Sequence, residues 1–195
     1  MNRKPNRLAA YDYSRAGVYF ITICVQDRRP LLSRIPLGCC APGPRTPVGE
    51  GRPEYKQCVN LPRTPDPRTP AGASIARPPS PELTPLGEIV NHAILSIPSH
   101  YSDVSVDHYV IMPNHIHLLM RIDRDPGRAM LAPTDISRVI QQLKGFITKQ
   151  YGKAFWQKSF YDHIVRDESD YRTRWQYIDE NPARWAEDEF FDELT

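Results

Sequence analysis

The sequence predicts an α+β sandwich: four antiparallel strands with two helices on one face and a further helix at the C-terminal end. Three observations lead there. Runs of β-branched and aromatic residues of strand length recur at 18–25, 104–112, 115–122 and 160–166. Two amphipathic segments of period 3.6 lie between the first and second runs and between the third and fourth. The two middle runs are separated only by Pro113-Asn114, a hairpin spacing.

Taken in order, Val18-Tyr-Phe-Ile-Thr-Ile-Cys-Val25 reads as a buried strand closed by Arg28, Arg29 and Pro30. Between Pro36 and Pro81 fall 12 of the chain's 20 prolines, with the near-repeats Pro44-Arg-Thr-Pro47 and Pro67-Arg-Thr-Pro70. Missing amide donors and fixed φ angles disfavour packed structure there, so 36–81 is expected to be a flexible insertion within a single domain spanning 1–195. Thr84-Pro85 offers a helix cap and first turn, and Leu86, Ile89, Val90, Ala93, Ile94 and Ile97 mark one face up to Pro98. After the hairpin and a loop at 123–133, Thr134 or Asp135 caps a second helix with Ile136, Val139, Ile140, Leu143 and Ile147 inward. Gly145 in its interior costs roughly 1 kcal/mol of helix propensity. Phe160 to Arg166 is the fourth strand, with Tyr161, His163 and Val165 on one face. Asp167-Glu-Ser-Asp170 then resembles a capping box, opening a helix that Asn181-Pro182 terminates. Without the insertion and the last helix the order is βαββαβ, the ferredoxin-like arrangement, which leaves one sheet face for a ligand.

At 195 residues and 40% hydrophobic content, the chain is long enough for one domain with a core. Cys24, Cys39, Cys40 and Cys58 show neither a Cys-x-x-Cys pair nor a disulfide framework, no apolar run reaches membrane-spanning length, and the amino end does not resemble a signal segment. A cytoplasmic protein without membrane contact is therefore expected. The net charge of +2 is modest. Basic residues cluster nonetheless, with Arg15, Arg28, Arg29 and Arg34 near the amino end and Arg138, Lys144, Lys149, Lys153 and Lys158 further on. Clustering suits a polyanion, because each phosphate contact is local; a solvated face for solubility accounts for it too.

The chemistry-bearing pattern is His115-Ile116-His117 within Val110-Ile-Met-Pro-Asn-His-Ile-His-Leu-Leu-Met120. Alternation along a strand sends His115 and His117 to one face while Ile116, Leu118 and Met120 pack the other. Two imidazoles so placed can grip a divalent metal, or serve as half-buried polar groups. On the last helix Tyr177 and Asn181 lie one turn apart on one face. If that face meets the sheet, two imidazoles and an amide oxygen can hold a cation beside a phenol. A phenol with its pKa near 10 is a better leaving group than an alkoxide, so a tyrosine–phosphate ester can form and be reversed. Tyr177 could equally pack, as could its rival nucleophile Tyr171. His163 is open as a third ligand, a phosphate donor or a satisfied imidazole, His108 reads as structural, and Glu168, Asp170 and Asp179 could assist the metal, although the helix dipole accounts for the first two and Asp179 projects away from Tyr177. Exposed aromatics such as Tyr13 or Trp156 are candidates for base stacking.

Several segments together resemble the IS200-type single-tyrosine transposases, and among them those associated with repetitive extragenic palindromes. They are Tyr19-Phe-Ile-Thr-Ile-Cys-Val-Gln-Asp-Arg-Arg29, Leu83 to Val90, Val110 to His117, Phe155-Trp-Gln-Lys-Ser-Phe-Tyr-Asp-His-Ile-Val-Arg-Asp-Glu168, and Tyr171 to Trp185. The resemblance puts the family's paired histidines on His115 and His117, its nucleophile on Tyr177 and its metal-binding amide on Asn181. It implies Mg²⁺ or Mn²⁺, a single-stranded DNA hairpin, and cleavage and rejoining through a 5′-phosphotyrosine that leaves a free 3′ hydroxyl. It further implies a bacterial protein, at the nucleoid when bound to DNA, acting as a monomer or homodimer. Arg15, Arg28, Arg29, Arg138, Lys144 and Lys149 are the candidate phosphate contacts. The family's connection at 36–81 is generally shorter. A metal-dependent phosphoesterase without a covalent step, and a single-stranded nucleic-acid binder without chemistry, are the alternatives.

Overall fold

A computed structural model describes residues 12–35, 80–123 and 134–187. The expected insertion, apart from its last two residues, and most of the 123–133 loop lie outside the described residues. Within them, β1 (Gly17–Cys24), β4 (Val104–Ile111), β5 (His115–Ile122) and β6 (Tyr161–Val165) form one antiparallel sheet in the order β4-β5-β1-β6. Helices α1 (Pro85–Leu95), α2 (Ile97–His100) and α3 (Ile136–Tyr151) precede β4 and β6, and α4 (Glu168–Glu180) follows. The arrangement is α+β and consistent with the ferredoxin-like expectation.

The two sheet faces are covered differently. Tyr19, Ile21 and Ile23 of β1 and Ile116, Leu118 and Met120 of β5 point to one side, where the apolar stripes of α1 and α3 close a large core. Val18 and Phe20 of β1, Val110 of β4 and Leu119 of β5 point to the other, where they pack with Ile178 of α4 and with Tyr171, Trp175 and Trp185. A period of two on each strand produces both cores from alternate residues.

The caps behave as their chemistry requires. Thr84 accepts from the Gly87 amide, Asp135 from Ser137 and Asp167 from Asp170. Gly87 is needed for contact: a Cβ there would sit 2.0 Å from the Leu32 carbonyl oxygen, to which the Thr84 amide donates. This close approach belongs to a two-stranded sheet, β2 (Ser33–Arg34) with β3 (Glu82–Leu83), that the sequence pattern did not signal.

Other local expectations are corrected. The first helix stops at Leu95, and Pro98 sits in the first turn of α2 instead of ending α1, a position where proline's missing amide costs nothing. Asp170 completes no reciprocal box: its carboxylate binds His163, Arg174 and the Arg166 amide. Helix α4 does end at Glu180, ahead of Asn181-Pro182 as expected, but not because Asn181 leaves the helical region: it keeps helical dihedrals (φ −56°, ψ −43°) and the chain continues into a 3-10 turn, Asn181–Glu187. Both residues are buried, so packing overrides the local preference before proline.

Candidate functional site

The site lies on the α4 side of the sheet. The hairpin turn at Pro113-Asn114 sets the register of β5, which places His115 opposite Cys24 and His117 opposite Thr22. Both imidazoles are shut away from solvent, at 0% and 1% exposure. Burial drives the proton affinity of His117 down to about 3 and that of His115 well below its ordinary value, with His117 and then Arg28 adding to the effect on His115. Both rings are therefore neutral at pH 7, the form that offers a lone pair to a metal.

Their nitrogens converge. His115 Nε2 lies 2.9 Å from His117 Nε2, while the two Nδ1 atoms turn outward to Asn114 Oδ1 at 2.8 Å and Thr22 Oγ1 at 2.9 Å. Two neutral imidazoles facing one another through Nε2, each tied at its other nitrogen to an oxygen, are chemically able to offer two nitrogen donors to one cation. Among the described residues no three His, Cys, Asp or Glu side chains are grouped so that they could hold a metal ion, so a third protein ligand beside this pair would have to be of another donor type. Asn181 supplies an amide and is 4% exposed.

Helix α4 brings Tyr177 to the same place. Its ring meets His117 edge-on at 5.2 Å between centroids and Phe20 at 5.8 Å, while Phe20 stacks on His117 at 5.2 Å. Trp185, in the turn after α4, lies 6.0 Å from the His115 ring. Asn181 follows Tyr177 by one turn, its backbone N–H donating to the Tyr177 carbonyl, and lies in sequence between Tyr177, whose ring is near His117, and Trp185, whose ring is near His115. Tyr177 is 38% exposed, which lets a substrate reach a phenol whose neighbours are buried.

The same helix is fastened by the side chains that had competed for roles. Tyr171 donates its hydroxyl to Asp107, which also binds Arg121; burial and then the Asp107 charge push the phenol up to about 12. His108 stacks on Trp175 at 4.3 Å and pairs with Asp179 at 2.7 Å. His163 shares the site's sheet face, opposite Phe20, but its Nε2 is bound to Asp170 at 2.7 Å. Glu168 pairs with Arg172 on the exposed surface.

The basic candidates separate by layer. Arg28 is half-buried and its charge is felt by His115, whereas Arg15 and Arg29 are exposed. Arg138 and Lys149 are exposed on α3, whose apolar stripe packs the opposite face of the sheet. Lys144 is half-buried and donates to the carbonyls of Gln157 at 2.5 Å and Lys158 at 3.2 Å. Tyr13 is in the main core, and Trp156 is partly buried against it. Thr22 and Asn114 escaped the sequence reading. Only the strand register could have singled out Thr22, and Asn114 was visible merely as a turn residue.

The fold thus presents an α+β sheet whose buried, neutral histidine pair is covered by a helix that carries a tyrosine. No family model matches the chain. It is 25% identical over 209 residues to an uncharacterized protein of Haemophilus influenzae, covering 97% of this chain and 93% of that one. It is 26% identical over 103 residues to a REP-associated tyrosine transposase of Escherichia coli K12, covering 52% of this chain and 58% of the relative. A putative REP-associated tyrosine transposase of H. influenzae is 29% identical over 82 residues, 38% of this chain and 47% of the relative. The chain thus spans about half the length of these two transposases. Among solved structures, a REP-associated tyrosine transposase bound to a REP hairpin superposes with a TM-score of 0.54 at 18% identity, covering 92% of this chain and 74% of that chain, a likeness of fold. Over part of its length and at low identity the chain is therefore similar in sequence to REP-associated tyrosine transposases. Among the described residues no helix is long and apolar enough to cross a membrane.

Proposed function

We propose that this chain is a metal-dependent strand transferase that cleaves and rejoins single-stranded hairpin DNA through a covalent 5′-phosphotyrosine on Tyr177. The observation that carries the reading is the convergence, within one chain, of the Tyr177 ring on His117 at 5.2 Å. The similarity to transposases, one of them solved with a REP hairpin, supports the substrate class.

In this reading His115 Nε2, His117 Nε2 and the Asn181 amide oxygen would hold Mg²⁺ or Mn²⁺. Such an ion supplies charge stabilisation at a non-bridging phosphate oxygen when bound. The chain's own groups do the rest. The Tyr177 oxygen attacks phosphorus and forms the Tyr–O–P bond as the bond to the 3′ oxygen breaks. The phenol loses its proton to solvent on its exposed side and the departing oxygen gains one, so the exchange is proton-neutral. One phosphate ester replaces another, which conserves bond energy for rejoining. Phe20 and Trp185 wall the imidazoles with apolar rings and exclude water, which disfavours hydrolysis. Arg28, beside His115, is the first phosphate contact to test, with Arg15 and Arg29 beyond it. The packing of α4 on its own sheet supports a site assembled within one chain.

A labelled hairpin oligonucleotide with a single-stranded flank, incubated with Mn²⁺, is expected to give a covalent protein–DNA adduct and a free 3′ end. Tyr177→Phe is expected to abolish both, and Tyr171→Phe to preserve them. Cleavage that survives in Tyr177→Phe at the wild-type rate would favour a phosphoesterase using water.

A further inference from the structure

Asn114 is 2% exposed and joins two parts of the site. Its Nδ2 donates to the Arg28 carbonyl at 3.1 Å, which fixes the amide's orientation and turns Oδ1 toward His115 Nδ1 at 2.8 Å. An amide oxygen can only accept. His115 therefore carries its proton on Nδ1 and presents the Nε2 lone pair to His117 Nε2 at 2.9 Å. Two neutral imidazoles cannot meet Nε2 to Nε2 with both lone pairs and nothing between them, so without metal the bridging proton belongs to His117 Nε2. The second nitrogen of His117 then accepts from the Thr22 hydroxyl, 2.9 Å away.

A hydroxyl both donates and accepts, so Thr22 is compatible with either tautomer of His117. Asn114 permits one tautomer of His115. The carbonyl that Asn114 holds belongs to a turn in which Asp27 and Arg28 are left-handed, at φ 56° and 51°, a conformation that side chains other than glycine adopt only when their surroundings enforce it.

We propose that Asn114 and Thr22 are positioning residues: Asn114 locks His115 with Nε2 unprotonated, and Thr22 lets His117 move its proton from Nε2 to Nδ1, so that both lone pairs become available to one divalent cation. The inference rests on the metal-binding part of the function proposed above. The proton count does not change. His117 gives the Nε2 proton to solvent and takes one from solvent at Nδ1, while the Thr22 hydroxyl rotates from donor to acceptor. By holding the Arg28 carbonyl as well, Asn114 couples the claw to the turn that presents Arg28.

The test uses the full chain with ¹⁵N-labelled histidine, long-range ¹H–¹⁵N correlation spectra to read tautomers, and Mn²⁺ titration followed by electron paramagnetic resonance. In metal-free wild type, His115 is expected as the Nδ1–H form and His117 as the Nε2–H form; Zn²⁺, a diamagnetic probe, is expected to convert His117 to Nδ1–H. Asn114→Ala is expected to mix the His115 tautomers and weaken Mn²⁺ binding about 10- to 100-fold, the usual cost of losing an outer-shell partner. Asn114→Asp, which keeps the acceptor, restores the Nδ1–H form. Thr22→Val loses affinity and Thr22→Ser keeps it, so the test stands even if Asn114→Ala fails to fold. An Nε2–H signal from wild-type His115, no Mn²⁺ binding by wild type, or unchanged Mn²⁺ affinity in Thr22→Val and Asn114→Ala would overturn the proposal. Tyr177→Phe serves as the separating control: hairpin cleavage that survives in this variant, with the tautomers and Mn²⁺ affinity as expected, would defeat the covalent mechanism and leave this inference standing.

Discussion

The two faces of β5 show how one strand can serve stability and chemistry with alternate residues. Ile116, Leu118 and Met120 face α1 and α3 in a core built of apolar side chains. His115 and His117 face α4 and are buried as completely, yet each must be satisfied by an oxygen or by its neighbour. Burying polar groups costs free energy that the apolar face never incurs. A second core alone would be served better by aliphatic residues, and this difference is why the proposed site is set on the α4 side.

That contrast can be attacked in order of expected effect. Tyr177→Phe removes one oxygen and leaves the ring contacts with His117 and Phe20, so it is expected to eliminate the DNA adduct while thermal unfolding stays near wild type. Leu118→Ala on the opposite side should do the reverse, costing about 2–5 kcal/mol of stability, measured by urea denaturation, with adduct chemistry retained in the folded fraction. Equal effects of the two substitutions on both readouts would erase the distinction between the faces.

The pH dependence of stability sharpens the comparison. His115 and His117 bind protons less readily folded than unfolded, so the unfolded state takes up protons first as pH falls. Their neutral burial is harmless above about pH 6.5, and stability is lost progressively as pH falls from there toward about 3 for His117. The slope approaches about 1.4 kcal/mol per pH unit for each imidazole. Urea denaturation in EDTA from pH 7.5 to 5 is expected to show that loss, reduced in His117→Gln, whereas Leu118→Ala should shift the whole curve without changing its slope. Smaller still, Gly145 on α3 has open space where a side chain would go, so Gly145→Ala is expected to stabilise by up to about 1 kcal/mol with no change in hairpin processing.

The sequence made visible what depends on short-range periodicity. Alternation along 115–122 separated the histidines from the core, and Thr84, Asp135 and Asp167 announced their helices because capping is local chemistry. What escaped depends on partners far along the chain. Ser33–Arg34 and Glu82–Leu83 are too short to carry a strand pattern and meet only after the proline-rich stretch has passed. Tyr171 and Tyr177 look alike in sequence. They differ because Asp107 of β4 takes the hydroxyl of one, while the other reaches His117. Lys144 read as an outward cation, and the 157–159 turn curls back to take its ammonium. Thr22 gains meaning only from its register opposite His117.

The central claim, that the tyrosine of α4 and the histidine pair act on one phosphodiester, is tested most directly by locating the covalent bond. A hairpin oligonucleotide reacted with the full chain and Mn²⁺, digested with protease and read by peptide mass spectrometry, is expected to leave a nucleotide on Tyr177, with none formed when His117 is replaced by Gln. A nucleotide found on Tyr171 or another residue, or on Tyr177 without need of the histidines, would contradict the account.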